Sequence, residues 1–313
     1  MNRRIRALLS IPRYLASPMR AIATVRGILL AFFVIVAAYY LFPRKQSFTI
    51  LAPTQSVTVE TAANQQHVWS LAGALLCRRL GEEETSSDGL ATNRECDPEI
   101  YDEYAADEID IFWPQGYRLS VTGHDRTRLV VEISVENTGE LAHFGDALIT
   151  NNSLLYFERE TFDRLGGLVA TGEIAIGQVA EAGASKLTRG GTYQIRENLW
   201  LTGGRTTVAQ GDILTGDFVR LTDGKGNNID GTMFLTGTGN SLADFDVVLT
   251  SPLKRSAIEV TRIGGAQTSI TTRWTDRLTN DALPAALSIF IGLFGASLAI
   301  ARSLAGDGDK PEK

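Results

Sequence analysis

Ser251-Pro252-Leu253-Lys254 has the S-x-x-K spacing in which a lysine of lowered pKa can take the proton of a serine nucleophile. The companion S-D-N and K-T-G elements are missing, and Pro252 opposes the helix on which such a serine and lysine meet. There is no G-x-S-x-G, and His67, His124 and His143 stand alone, with no spacing that reads as a triad or as metal ligands with the cysteines. They are expected to be surface or packing residues.

Calcium binding needs several oxygen ligands gathered in an ordered loop. Asp97, Asp102, Asp107 and Asp110 are too scattered for an ordered D-x-D-x-D-G loop. Asp223-Gly-Lys-Gly-Asn-Asn-Ile-Asp-Gly231 carries Lys225 where an EF-hand needs an oxygen, and no glutamate closes it, so a glycine-rich hairpin is expected. No cofactor or metal is expected. Cys77 and Cys96, the two cysteines of the chain, are expected to form a disulfide. Closing the loop of 18 residues between them stabilises by about 3 kcal/mol in the chain-entropy model.

The elements that would position these groups are mostly strands. Ser47–Glu60 reads as two short strands around Pro53, and Leu129–Glu136 alternates Val131, Ile133 and Val135 with polar neighbours before a turn at Asn137-Thr-Gly139. Further strands are expected over 168–179, 193–201, 217–221, 232–236, 246–250 and 257–263. A Leu-Thr step recurs at Leu187, Leu201, Leu214, Leu221, Leu235 and Leu249, four of its intervals being 13 or 14 residues, which suits a strand plus a turn. The spacing of Trp69, Leu71, Leu75 and Leu76 predicts one helix over Val68–Leu80, ended by Gly81. Residues 82–110 hold twelve acids against Arg94, the signature of a solvated loop. The fold expected is therefore mainly β, an antiparallel meander, sandwich or small barrel. Val208–Val219, with its two Gly-Asp steps, resembles the turns of the barrel-sandwich modules of membrane-fusion adaptors and carrier domains. That likeness implies a turn geometry; the long coiled-coil hairpin of those adaptors is missing.

Two uncharged stretches stand apart. Ala282–Ala301, twenty residues, matches a bilayer directly, while Gly27–Phe42 reaches bilayer length if the helix extends back through 21–26 and Arg26 snorkels. Arg3, Arg4, Arg6, Arg13, Arg20 and Arg26 precede the first, and Arg302, Lys310 and Lys313 follow the second, which places both termini in the cytoplasm. The organisation expected is a basic cytoplasmic tail (1–20), a first transmembrane helix (21–42), an extracytoplasmic α+β portion with the acidic segment (43–116), a β-rich portion (117–281), a second transmembrane helix (282–301) and a cytoplasmic tail (302–313). A cleaved signal peptide ending at Val36-Ala37-Ala38 is the rival for the first helix. Ser288, Gly292 and Ala296 recur every four residues, a small-residue face that could pack on the first helix, a second copy or a partner subunit.

The net charge of -6 disfavours nucleic acid as a partner. Two anchors, a disulfide-capable domain and no visible catalytic set point to a non-enzymatic interaction or assembly module of a cell envelope. It would bind the bilayer and either a membrane or envelope protein or its own copies. The alternative is a membrane-tethered enzyme, such as a hydrolase, whose groups come together only in the fold.

Overall fold

The computed structural model describes residues 45–277 apart from 63–66, 81–95, 137–139, 179–186, 199–203, 224, 238–243, 255, 263–264, 266 and 274, together with Val34, Ser288, Ile291, Gly292 and Gly295. In chain order the first elements are β1 (Gln46–Thr54), β2 (Ser56–Thr61), β3 (His67–Arg79), β4 (Tyr101–Trp113), β5 (Tyr117–Gly123), β6 (Arg128–Val135), β7 (His143–Phe144), β8 (Ala147–Leu148) and β9 (Ser153–Glu158). A short helix, α1 (Glu160–Arg164), follows. The remainder are β10 (Leu168–Ile176), β11 (Arg189–Asn198), β12 (Arg205–Thr215), β13 (Phe218–Asp223), β14 (Asp230–Gly237), β15 (Phe245–Thr250), β16 (Ser256–Thr261) and β17 (Gln267–Ile270).

Antiparallel pairing joins fifteen of these strands in the order β12-β11-β1-β15-β14-β10-β2-β5-β6-β9-β3-β4, with β13, β16 and β17 branching from β10; β7 and β8 form a separate ladder. The sheet does not close into a barrel, which corrects one of the expected architectures. Residues 44–276 belong to one unit, and strands before residue 116 pair with strands after it, as β2 does with β10.

Period-2 alternation places one side of each strand inside, and the register aligns those sides into rows. One inner row is Ile50, Leu249, Met233 and Ala170 across β1, β15, β14 and β10. Another is Ile176, Val57, Val121, Val131, Leu155 and Leu76 from β10 to β3. All ten side chains are wholly buried. Each fully buried Val, Leu or Ile contributes about 1.5–3 kcal/mol. Trp69 packs edge-on against Trp113 with centroids 5.5 Å apart, and Trp113 against Tyr117 at 5.7 Å. Tyr117 fixes this cluster to the following loop by accepting the Ala142 N–H at 2.8 Å.

The expected helix over Val68–Leu80 is strand β3, and the reason is a change of phase. Trp69 and Leu71 face the core before Gly73, Ala74 and Leu76 after it. Partner strand β4 shifts with it, from Tyr104 and Ala106 to Ile109, Ile111 and Trp113. Two stretches of period 2 joined out of phase imitate the spacing of a helix. Gly73 makes the shift with φ +55°, and Thr161 of α1 hydrogen-bonds the Ala72 backbone at the bend. The second half of the acidic block is likewise strand rather than loop, since β4 runs from Tyr101 to Trp113. It is one end of the sheet, and Asp102, Glu103, Asp107, Glu108 and Asp110 charge that edge against pairing with another chain. Ser47–Glu60 does form two strands, but they divide at Gln55, with Pro53 inside β1.

No helix among the described residues is long and apolar enough to cross a membrane. Nearly all of 21–42 and 282–301 lies outside the described residues, as do the tails and the turn at 137–139.

A Cβ at Gly73 would lie 2.4 Å from Glu158 Cδ in a left-handed backbone, whereas one at Gly145, φ +58°, would meet nothing within 4 Å. Gly145→Ala is expected to lower unfolding free energy by about 1–2 kcal/mol from backbone strain alone, and Gly73→Ala by more. Denaturant titration of both variants checks the order; an unperturbed Gly73→Ala would contradict the phase-shift account.

Candidate interaction face

The fold does not assemble the groups that first suggested catalysis. Ser251 is buried, and its Oγ accepts the Phe48 N–H at 2.8 Å and lies 3.4 Å from Ser256 Oγ. Lys254 is exposed, and its backbone ladders with Gln46. His143 sits exposed in β7, and His124 stacks edge-on against Tyr156 at 5.2 Å. Neither joins Ser251 in a relay.

The oxygen clusters are used locally. Asp223 closes its loop by accepting the Lys225 and Asn227 N–H groups at 2.7 and 3.0 Å and the Asn227 amide at 2.9 Å. These hydrogen bonds hold its carboxyl below the usual range. Asp97 accepts the Glu99 N–H at 3.0 Å, Asp102 pairs with Arg78 at 2.6 Å, and Asp110 accepts the Ser70 hydroxyl at 2.5 Å. No metal-ligating cluster occurs among the described residues. Asp217, in the segment likened to barrel-sandwich turns, caps a tight turn after Gly216 by accepting the Leu214 N–H at 2.9 Å.

Cys77 and Cys96 are disulfide-bonded, as expected, with Cα atoms 5.5 Å apart. The bond ties β3 to the chain just before β4 and packs with Leu75, Val130 and Tyr156. Ser288 and Gly292 are helical, and Ala296 lies outside the described residues.

His67 has a different role. Strand β10 pairs with β2 only from Gly172 onward, because β2 ends at Thr61, so the preceding edge of β10 lacks a strand partner there. Side chains of β3 replace it. His67 Nε2 accepts the Thr171 N–H at 3.3 Å, and the Trp69 indole N–H donates to the Val169 carbonyl at 2.9 Å. An acceptor and a donor two residues apart on one strand thus close an edge that backbone would otherwise leave open.

Where β10 forks to β2 and β13, the surface has a groove of about 170 Å³ floored by Ile174, Ala175 and Leu221. Its charged rim is already paired: Arg118 with Glu60 and Glu136 at 3.1 and 2.9 Å, Arg220 with Glu259 at 2.6 Å, and Glu173 with Asn228 at 2.9 Å. It is smaller than the ~300–1,000 Å³ of typical ligand sites. We read it as a structural seam.

The outer face of the other half of the sheet is distinctive. Pairing aligns Thr192, Leu51, Val248, Phe234 and Val169 in one row across β11, β1, β15, β14 and β10. Leu51, Phe234 and Val169 are 47%, 40% and 40% exposed, so four apolar side chains meet solvent side by side. At ~4.8 Å per strand the apolar part spans about 14 Å. The next row is Gln194, Thr49, Thr250, Thr232 and Thr171, again without charge. The Phe234 ring lies over Gly167, where a Cβ would come within 2.4 Å of it. Asp246, beside the row and opposite Pro53 and Thr236, is half-buried, and burial raises its pKa. Among the described residues its carboxylate has no hydrogen-bond or ion-pair partner.

Sequence reasoning missed this row, although a signal was present. Ile50-Leu51-Ala52, Val247-Val248-Leu249, Met233-Phe234-Leu235 and Leu168-Val169-Ala170 are each three consecutive apolar residues in a strand, and in each the middle one faces out. A strand buried on one side needs only alternate apolar residues, so the third marks a second apolar face.

Burial lowers the pKa of His67 below its ordinary 6.5. Nε2 can accept the Thr171 N–H only while it is unprotonated. Below about pH 6.5 the unfolded chain therefore takes up a proton that the fold resists, and stability falls as pH drops from there toward the lowered folded-state value. His67→Gln retains an acceptor without the titration. The stability difference between wild type and this variant is expected to change with pH below 6.5 and stay flat above it; a flat difference throughout would contradict a neutral, capping His67. No family model matches the chain, and neither a curated protein nor a solved structure matches it.

Proposed function

We propose that this chain is a membrane-anchored, extracytoplasmic interaction or assembly module of a cell envelope, without a catalytic role of its own. Apolar helices at 21–42 and 282–301 hold it in the bilayer in this reading, and the outer face of β1, β15, β14 and β10 is the surface by which it assembles. The observation that carries the reading is the aligned row Leu51, Val248, Phe234 and Val169 beside a row of threonines. Solvent-facing apolar side chains gathered in one patch mark contact surfaces in soluble domains. Support also comes from the polar groups, since Ser251, Asp223, Asp102 and His67 are all committed to holding backbone or neighbouring side chains in place.

A lysine at the centre of the row would place a charge in the contact while leaving the core intact. Full-length Phe234→Lys protein, purified from native membranes beside wild type at equal abundance, is expected to lose its stoichiometric protein partner, whether another envelope protein or its own copies, by at least about tenfold. Near-ultraviolet circular dichroism should show an unchanged fold. An identical set of associated proteins in both preparations would overturn the reading.

A further inference from the structure

We infer that the end of the β-rich unit where the chain enters and leaves it is a docking surface for the headgroups of anionic phospholipids. The inference rests on the membrane-anchored reading above and adds which end of the unit meets the bilayer and which lipid it favours.

Hydrogen bonding brings the entry and the exit together. Gln46 opens β1 four residues after the uncharged stretch 27–42, and Thr272 follows β17 ten residues before the stretch 282–301. The Thr272 hydroxyl reaches Gln46 Oε1 at 2.7 Å and Glu197 Oε1 at 2.9 Å, and Gln46 Nε2 donates to the Ser256 carbonyl. In the anchored reading both membrane connections therefore start from one end of the sheet.

That end is cationic. Gln46 pairs with Glu197 on one side and bridges to Lys254 on the other, and Asn198, the next residue of β11, pairs with Arg205. Lys45 adjoins Gln46, and Arg273 adjoins Thr272. Lys45, Arg205, Lys254 and Arg273 are all exposed, so four cations gather across the ends of β12, β11, β1 and β15. Four strands at ~4.8 Å spacing span about 14 Å. This is under two Debye lengths of ~8 Å at physiological salt, and the four charges act together on a surface laid against them.

The charge is left facing outward. Among the described residues none of the four joins an ion pair, whereas Arg78, Arg118, Arg164, Arg189, Arg220 and Arg262 each pair with a carboxylate. The acids at this end are held by other groups. Glu197 is wholly buried beside Thr272, Asp276 accepts the Arg273 N–H at 2.9 Å, and Asp223, opposite Ser256, accepts N–H groups of its own loop.

In a chain of net charge -6, such a group has the sign to meet phosphate. Each Lys or Arg within a Debye length of an anionic membrane raises binding roughly fivefold, and lipid is the anionic surface that the two connections bring to this end. The acidic strand β4 lies at the opposite end of the pairing order and is repelled by the same surface, so the two charge groups together orient the unit.

The test uses the full-length chain in nanodiscs of phosphatidylcholine alone and of phosphatidylcholine with about one-third phosphatidylglycerol. Amine acetylation read by mass spectrometry should find Lys45 and Lys254 at least about threefold less reactive in the anionic discs. The difference should vanish in high salt and weaken in an Arg205→Gln/Arg273→Gln chain, while a lysine introduced on β4 by Glu103→Lys reacts equally in both discs. Equal reactivity of Lys45 and Lys254 in the two discs, with the chain still eluting with them, would overturn the headgroup contact and leave the anchors standing. Elution with the anionic discs alone would support the contact and contradict the anchors, and elution apart from both discs would contradict the two together.

Discussion

Register is the constraint on which the structure depends. Side chains alternate along a strand, so the pairing of β1 with β15 decides at once that Ile50 and Leu249 are inside and that Leu51 and Val248 are outside. A slip of one residue would exchange the two sets and expose wholly buried leucine and isoleucine across every strand downstream. The inner rows hold the register because they are continuous from β1 to β10 and from β10 to β3. The outer row exists only because that register is kept.

The same constraint explains the exceptional residues. Gly73 is needed where β3 and β4 change phase together, for the core-facing side must switch without breaking the ladder. His67 and Trp69 are needed where β2 ends and β10 continues, because the Thr171 N–H and Val169 carbonyl would otherwise lack partners. The Cys77–Cys96 bond secures the far end of β3, after which residues 81–95 intervene before β4. The first two devices sit where regular pairing is interrupted, and the third lies near the end of β3.

Much of the β architecture was legible from the sequence because alternation is local. β6, β10, β13, β14, β15 and β16 fall where the apolar periodicity places them, and the two cysteines identified their own bond. β3 was misread because the shift at Gly73 disguises period 2, and β4 because acids normally signal a loop rather than a guarded edge. The outer apolar row was illegible for another reason: Leu51, Val169, Phe234 and Val248 are far apart along the chain, and only the pairing order places them in one row. The apolar triplets containing them could show that each faces solvent, but not that they meet.

The proposed assembly role rests on that row. Ser251 and Lys254, His124 and His143 are held in separate settings. The fold gathers apolar side chains instead. Hydroxyl-radical footprinting of the full chain in native membranes, compared with the same chain dispersed in detergent, tests this most directly. The account predicts that Leu51 and Phe234 are protected in membranes and become reactive on dispersal, while Val68, 55% exposed and outside the row, reacts equally in both. Equal reactivity of Leu51 and Phe234 in the two states would contradict it.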